Sequence, residues 1–262
     1  MPAFKSVAEG LHNPKTHTTR PSVTGATVIG VKYKGGVALM ADTLGSYGRM
    51  KRFIDIQRFY RVNRRCVLGV SGDVSDFQYI QRLLEDLVTE DACLNDGHEV
   101  SPRELHAYLT RVMHGRRSKV NPLWNQVLVA GIEDDNETPF LGFVDLYGTA
   151  FEEDTVATGF GLYCATPLLR EHFRKDMPAE DAKALVEQAY RVVVYRHCNS
   201  MNKVQFVTVT PEEGVTISEP YALPTQWDYA DFQQPLASKA RFFLGQPLYG
   251  RQGAAAAPAQ EQ

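Results

Sequence analysis

Two β-rich runs, residues 27–33 and 36–42, are separated only by Lys34-Gly35, a two-residue turn of the kind that closes a hairpin. Further β-type runs follow at 65–71, 126–132, 140–146, 203–210 and 214–218. Several are apolar with little alternation, which predicts sheets covered on both faces. Between them the period changes. Residues 75–93 place Phe77, Ile80, Leu83, Leu84, Leu87 and Val88 at helical spacing. Ser101 and Glu104 then form a capping box with Pro102 at the first helical position, predicting a second helix through Leu105, Leu109 and Met113. A second helix pair is predicted at 162–174 and 179–197. Strands, two helices, strands, two helices, strands is the order of an α+β layered fold. We expect two stacked sheets with a helix pair on each outer face.

The ends read differently. Residues 1–22 are polar, with Pro2, Pro14 and Pro21, and show no periodicity; from about 245 the chain carries Gly245, Pro247, Gly250, Gly253 and an Ala/Pro/Gln tract. The expected organisation is an N-terminal extension (1–22), a core domain (23–220) and an extended C-terminal tail (221–262).

Composition narrows the function classes. A chain of 262 residues, 44% hydrophobic, can bury a full core. Its formal charge of −3 argues against a dedicated nucleic-acid binder. The basic cluster of Arg49, Lys51, Arg52, Arg58, Arg61, Arg64 and Arg65 reads as a solvated or subunit-facing surface, with an anionic ligand site as the alternative. Cys66, Cys93, Cys164 and Cys198 show no metal-ligand spacing and read as buried thiols of a reducing compartment. No apolar run approaches the roughly 20 residues of a membrane span, and residues 1–20 lack a signal-peptide core. An intracellular protein without a membrane segment is expected.

The element order is similar to that of the N-terminal-nucleophile hydrolases, whose fold is a four-layer αββα sandwich. Thr24-Gly25-Ala26-Thr27-Val28-Ile29-Gly30 followed by Gly35-Gly36-Val37-Ala38-Leu39-Met40-Ala41-Asp42 resembles the opening hairpin of proteasome β-type subunits. The Gly69-Val70-Ser71-Gly72-Asp73 turn is similar to the next landmark of that family, and the stretch 116–125, Leu44-Gly45-Ser46-Tyr47-Gly48 and Pro167-Leu168-Leu169-Arg170-Glu171 resemble its seventh β-ring position. The resemblance implies other β subunits in the same ring, α subunits above and β subunits of the opposite ring as partners. It also implies residence in cytoplasm and nucleus, and neither cofactor nor metal.

Catalytic members of that family use an N-terminal Thr whose hydroxyl attacks the scissile carbonyl. Its own α-amine, titrating near about 8, takes the proton. Carried over residue by residue, the nucleophile falls on Ala26, after Gly25. The orienting Asp falls on Asp42, the Lys on Arg58, the Ser of a Gly-Ser-Gly turn near Thr158-Gly159, and a later Asp–Ser pair on His197 and Ser200. Arg58 keeps the charge but is planar and bulkier than an ammonium. With nucleophile, Lys and second Asp all changed, the resemblance implies a non-catalytic chamber-building subunit. The alternative, an active hydrolase trimmed to Thr27, puts that Thr one residue out of register, on the opposite strand face. His197 beside Cys198 is a weak pair, since adjacent helical positions diverge by about 100°. His106 and His114 have no i,i+4 partner and predict no metal site. Asp42 has the plainer reading of a residue closing a strand end. Trp124, Trp227, Tyr229 and Phe232 are expected as aromatic anchors at subunit contacts, the last three on the tail.

Overall fold

The computed structural model describes residues 18–133 and 138–227. Its elements are β1 (Val23–Gly25), β2 (Val28–Tyr33), β3 (Gly36–Asp42), β4 (Gly45–Tyr47), β5 (Met50–Phe53), β6 (Phe59–Arg61), β7 (Cys66–Asp73), α1 (Val74–Leu94) and α2 (Pro102–Ser118). Then come β8 (Asn125–Ile132), β9 (Pro139–Val144), β10 (Ala150–Glu152), β11 (Thr155–Ala157), α3 (Gly161–Cys164), α4 (Thr166–His172), α5 (Ala179–Arg196), β12 (Lys203–Thr210), β13 (Gly214–Ile217) and β14 (Tyr221–Ala222).

One sheet runs β10-β9-β8-β7-β1-β4-β5, with β6 also on β7; the other runs β11-β2-β3-β12-β13, with β14 on β12. Successive residues of a strand feed different cores, because side chains alternate across the sheet. Val28, Leu39, Val67 and Leu128 fill the space between the sheets. Their neighbours Ile29 and Met40 pack with Leu185, Val186 and Tyr190 of α5. Leu68 and Val129 pack with Ile80, Leu84, Leu105 and Leu109 of α1 and α2. Three cores between four layers explain why these strands read as nearly continuous apolar runs.

The helix starts are formed as their sequence implies. Asp73 caps α1 by accepting from the Ser75 and Asp76 amides, and the Ser101–Glu104 capping box at α2 is complete. The expected helix 162–174 is instead two short helices, α3 and α4. Pro167 lacks the amide that would continue the ladder through Ala165.

Other expectations are also corrected. β14 pairs with β12, so the compact unit runs to Leu223 rather than 220, and a second unit begins at Pro224. In that second unit Trp227 is 59% exposed, while Tyr229 and Phe232 lie outside the described residues. At the other end, Ser22 donates its amide to Asp73 Oδ2 at 2.7 Å, and Thr18 accepts from the Trp124 indole at 2.9 Å. The extension is therefore tied to the core from Thr18 onward. The cysteines were expected to be buried, but only Cys66 is; Cys93 and Cys198 are exposed, and Cys164 is half-buried. Among the described residues no helix is long and apolar enough to cross a membrane.

Burial pushes the Cys66 thiol up to about 12. We therefore expect iodoacetamide near about pH 8 to modify Cys93 and Cys198 in the native chain and to spare Cys66, whose reactive thiolate is scarce. Peptide mass mapping checks this, and Cys66 should react only once the chain is unfolded.

Candidate functional site

The two sheets are joined at Ala26. β1 ends at Gly25 in the first sheet and β2 begins at Val28 in the second, so residues 25–27 cross from one layer to the other. Thr27 is fully buried; its hydroxyl accepts the Gly161 amide at 3.0 Å and its carbonyl accepts from Tyr190 at 3.4 Å. Ala26, one residue earlier, is half-buried and lines a cleft of about 310 Å³ with Gly25, Gly72, Trp124, Asn125 and His197. Thr27 does not line it.

β1 is held on both edges. Thr24 and Gly25 pair with Asp73 and Gly72 of β7, while Val23 and Thr24 pair with Tyr47 and Ser46 of β4. The chain's own residues 23–25 thus fill the slot between β4 and β7 leading up to Ala26.

Beneath this crossing lies Arg58, read from sequence as part of a surface cluster but only 2% exposed. Its Nε donates to the Val70 carbonyl at 2.8 Å, its Nη1 to Asp42 Oδ1 at 3.1 Å, and its Nη2 to the Ala26 carbonyl at 3.2 Å. The Val70 amide returns a bond to the Arg58 carbonyl at 3.0 Å, fixing its backbone against β7. A Cβ on Gly25 would stand 2.2 Å from Arg58 Cζ, so the guanidinium occupies the room that glycine leaves.

Asp42 ends β3, as its plainer reading holds, but it also organises the site. Its Oδ2 accepts from the Ser200 hydroxyl at 3.1 Å and from the Met201 amide at 3.2 Å, and its own amide donates to the Tyr190 hydroxyl at 2.8 Å. Burial pushes the Asp42 carboxyl above the ordinary carboxylate range, against the downward pull of Arg58, the Met201 and Leu44 amides and Ser200. Burial, with the Asp42 charge behind it, likewise raises Tyr190 well above its usual value.

The remaining site positions divide. Ser200 joins the network. Thr158 does not reach the cleft: it is buried, its Oγ1 accepting the Val28 amide at 2.8 Å, so it extends the pairing of β11 with β2. The cleft wall is Gly159, whose amide donates to Gln126 Oε1. His197 closes α5, lines the cleft and stacks on Phe160 at 5.0 Å; burial, then the Lys51 charge, lowers its pKa. Trp124 is half-buried, its indole engaged by Thr18. Tyr190, which links Asp42 to Thr27, was read in the sequence only as part of a helix. Its placement opposite the end of β3 was the missing information. Among the described residues no group of three or more His, Cys, Asp or Glu is placed to hold a metal.

The family model described as "Proteasome subunit" matches residues 22–209. The chain belongs to the proteasome subunit family, as one of its β-type subunits. It is 44% identical over 223 residues to proteasome subunit beta type-4 of Arabidopsis thaliana, covering 85% of this chain and 89% of that protein. Beta type-4 of Xenopus laevis is 45% identical over 219 residues (83% and 89%), and beta type-7 of Saccharomyces cerevisiae is 39% identical over 234 residues (86% and 88%). As a proteasome β subunit the chain takes part in protein degradation.

In this proteasome subunit the side chains of Arg58, Asp42 and Ser200 are bonded to one another or to the backbone. The Arg58 charge is engaged by a carboxylate and two backbone carbonyls, and the position facing the cleft carries a methyl group. Removing Arg58 would leave Asp42 buried without its counter-ion, and Arg58→Ala should cost about 3–5 kcal/mol of unfolding free energy. The double variant Asp42→Asn, Arg58→Met, which removes both charges, should lose less. Without Arg58 the folded-state pKa of Asp42 lies further above its unfolded value. The folded state then binds the proton more tightly, and stability falls as pH rises through the folded value. The deficit of Arg58→Ala should accordingly be smaller near about pH 5 than near about pH 8, measured by denaturant titration at both.

Proposed function

We propose that the chain is a non-catalytic, structural subunit of the proteasome core particle, occupying the seventh position of the β ring and shaping the chamber in which other β subunits cleave protein. It would serve ubiquitin-dependent and other intracellular degradation, in cytoplasm and nucleus. The observation that carries this reading is Ala26 at the cleft, with Arg58 bonded to its carbonyl and filling the space beside Gly25. Residue 26 itself offers no hydroxyl to attack a carbonyl, and the cation bonded at its carbonyl is a guanidinium rather than a compact ammonium. Trimming to Thr27 would not supply one, since that hydroxyl is buried on the far side of the strand and held by Gly161.

An electrophile directed at N-terminal threonines, applied to the particle containing this chain, should label other β subunits and leave this chain unmodified. A covalent adduct at residue 26 or 27, found by intact mass, would refute the reading.

The proposed partners are two β neighbours, an α subunit above, and β subunits of the opposite ring reached through the tail. Trp124 and the tail residues Trp227, Tyr229 and Phe232 are the proposed aromatic anchors. Because β14 belongs to the core, truncation after Leu223 should leave that unit folded. We expect it to raise the ratio of half to full particles on native gels, while truncation after Phe232 has a milder effect. Normal ring pairing after the longer truncation would remove the tail from the proposal.

A further inference from the structure

Helix α2 ends in a six-residue closure in which the Val120 amide donates to the Arg117 carbonyl at 3.0 Å and the Asn121 amide to the Arg116 carbonyl at 3.1 Å. This paired-bond termination requires a left-handed residue at the first position beyond the cap, and glycine is the usual one. Here the position is Val120, at φ 55°. A β-branched side chain is among the poorest fits to that conformation. The contrast within the chain is sharp. The other positive-φ positions among the described residues are seven glycines and Asn95, a tolerated residue at the C-cap of α1.

Nothing inside the described chain offsets this choice. Val120 is 82% exposed. The loop itself is well anchored, with Asn121 and Leu123 buried on either side of Pro122. An apolar side chain is therefore held out at a fixed point on a disfavoured backbone. Beside it in the chain Arg117 and Lys119 are exposed and form no ion pair among the described residues, and Arg116 lies 5.1 Å over the Tyr79 ring. In a chain of net charge −3 this is a local excess of positive charge.

We infer that the Val120 loop is a docking point for an acidic surface of a neighbouring subunit, with the valine entering an apolar recess and Arg117 and Lys119 meeting carboxylates around it. The proposal rests on the reading of the chain as an assembled subunit. Within that reading it explains why a valine occupies a glycine position: the side chain is buried only in the assembly.

The test uses the full chain, free and in particles assembled from co-expressed tagged wild type and variant. Val120→Gly should raise the unfolding midpoint of the free chain by about 2–4 °C and yet reduce its share in particles. Val120→Ala, which relieves only the β-branched part of the strain and loses the apolar group, should raise the midpoint less than Val120→Gly does and reduce entry by about tenfold, the loss for one uncovered valine side chain. Arg117→Glu with Lys119→Glu should reduce entry without altering the midpoint. Entry of both Val120 variants at the wild-type level would overturn the proposal, as would a lowered midpoint for Val120→Gly. A change confined to self-association of the free chain would also overturn it, by making the partner a second copy. Failure of the wild-type chain itself to enter particles would instead defeat the assembly reading.

Discussion

An ion taken from water into a protein interior costs several kcal/mol even after relaxation, and Arg58 is such an ion. Its tolerance depends on partners that come from four separate places: the crossing at Ala26, the end of β3 at Asp42, the middle of β7 at Val70 and, through Asp42, the turn after α5 at Ser200 and Met201. These segments are far apart in sequence and meet only when both sheets have formed and stacked. The guanidinium therefore acts as a register check between the layers. A slip of β3 by one residue would withdraw Asp42 to the opposite face and leave the charge uncompensated.

The same network settles the conformation of the chain before it. With the Ala26 carbonyl held by Arg58 and the Thr27 hydroxyl by Gly161, the crossing is pinned on both sides, and residues 23–25 are delivered into the slot between β4 and β7. Three residues are a marginal strand on their own. Paired along both edges, β1 continues the first sheet from β7 to β4 and β5, which would otherwise present unpaired edges to solvent. The residues that approach the cleft therefore serve first as sheet structure.

What the sequence disclosed tracks how local each signal is. The β2–β3 hairpin, the capping box at Ser101 and the apolar stripe of α1 are set by residues a few positions apart, and all formed as read. The strands β1, β4, β5, β6, β10 and β11 are each three or four residues long and owe their existence to remote partners. Such pairing leaves no periodicity to count. Arg58 looked like one of seven surface cations because charge patterning carries no burial information; only its alignment with a family position set it apart. Thr158 shows the opposite error. Position in a family pattern placed it near the cleft, whereas its side chain faces β2 and the neighbouring Gly159 forms the wall. Site identity was therefore more legible than side-chain direction.

Gly25 shows how a packing requirement can look like a catalytic one. A glycine immediately before the nucleophile position invites the reading that it is kept for chain cleavage. In this chain a sufficient reason lies elsewhere: any Cβ at residue 25 would collide with the Arg58 guanidinium, which reaches the Ala26 carbonyl by passing over that residue. The collision involves the head of a side chain fixed by three hydrogen bonds, so it cannot be relieved by a rotamer change without breaking the buried pair. Glycine at 25 and arginine at 58 thus form a single packing unit, and the presence of the glycine carries no information about whether the bond after it is ever cut.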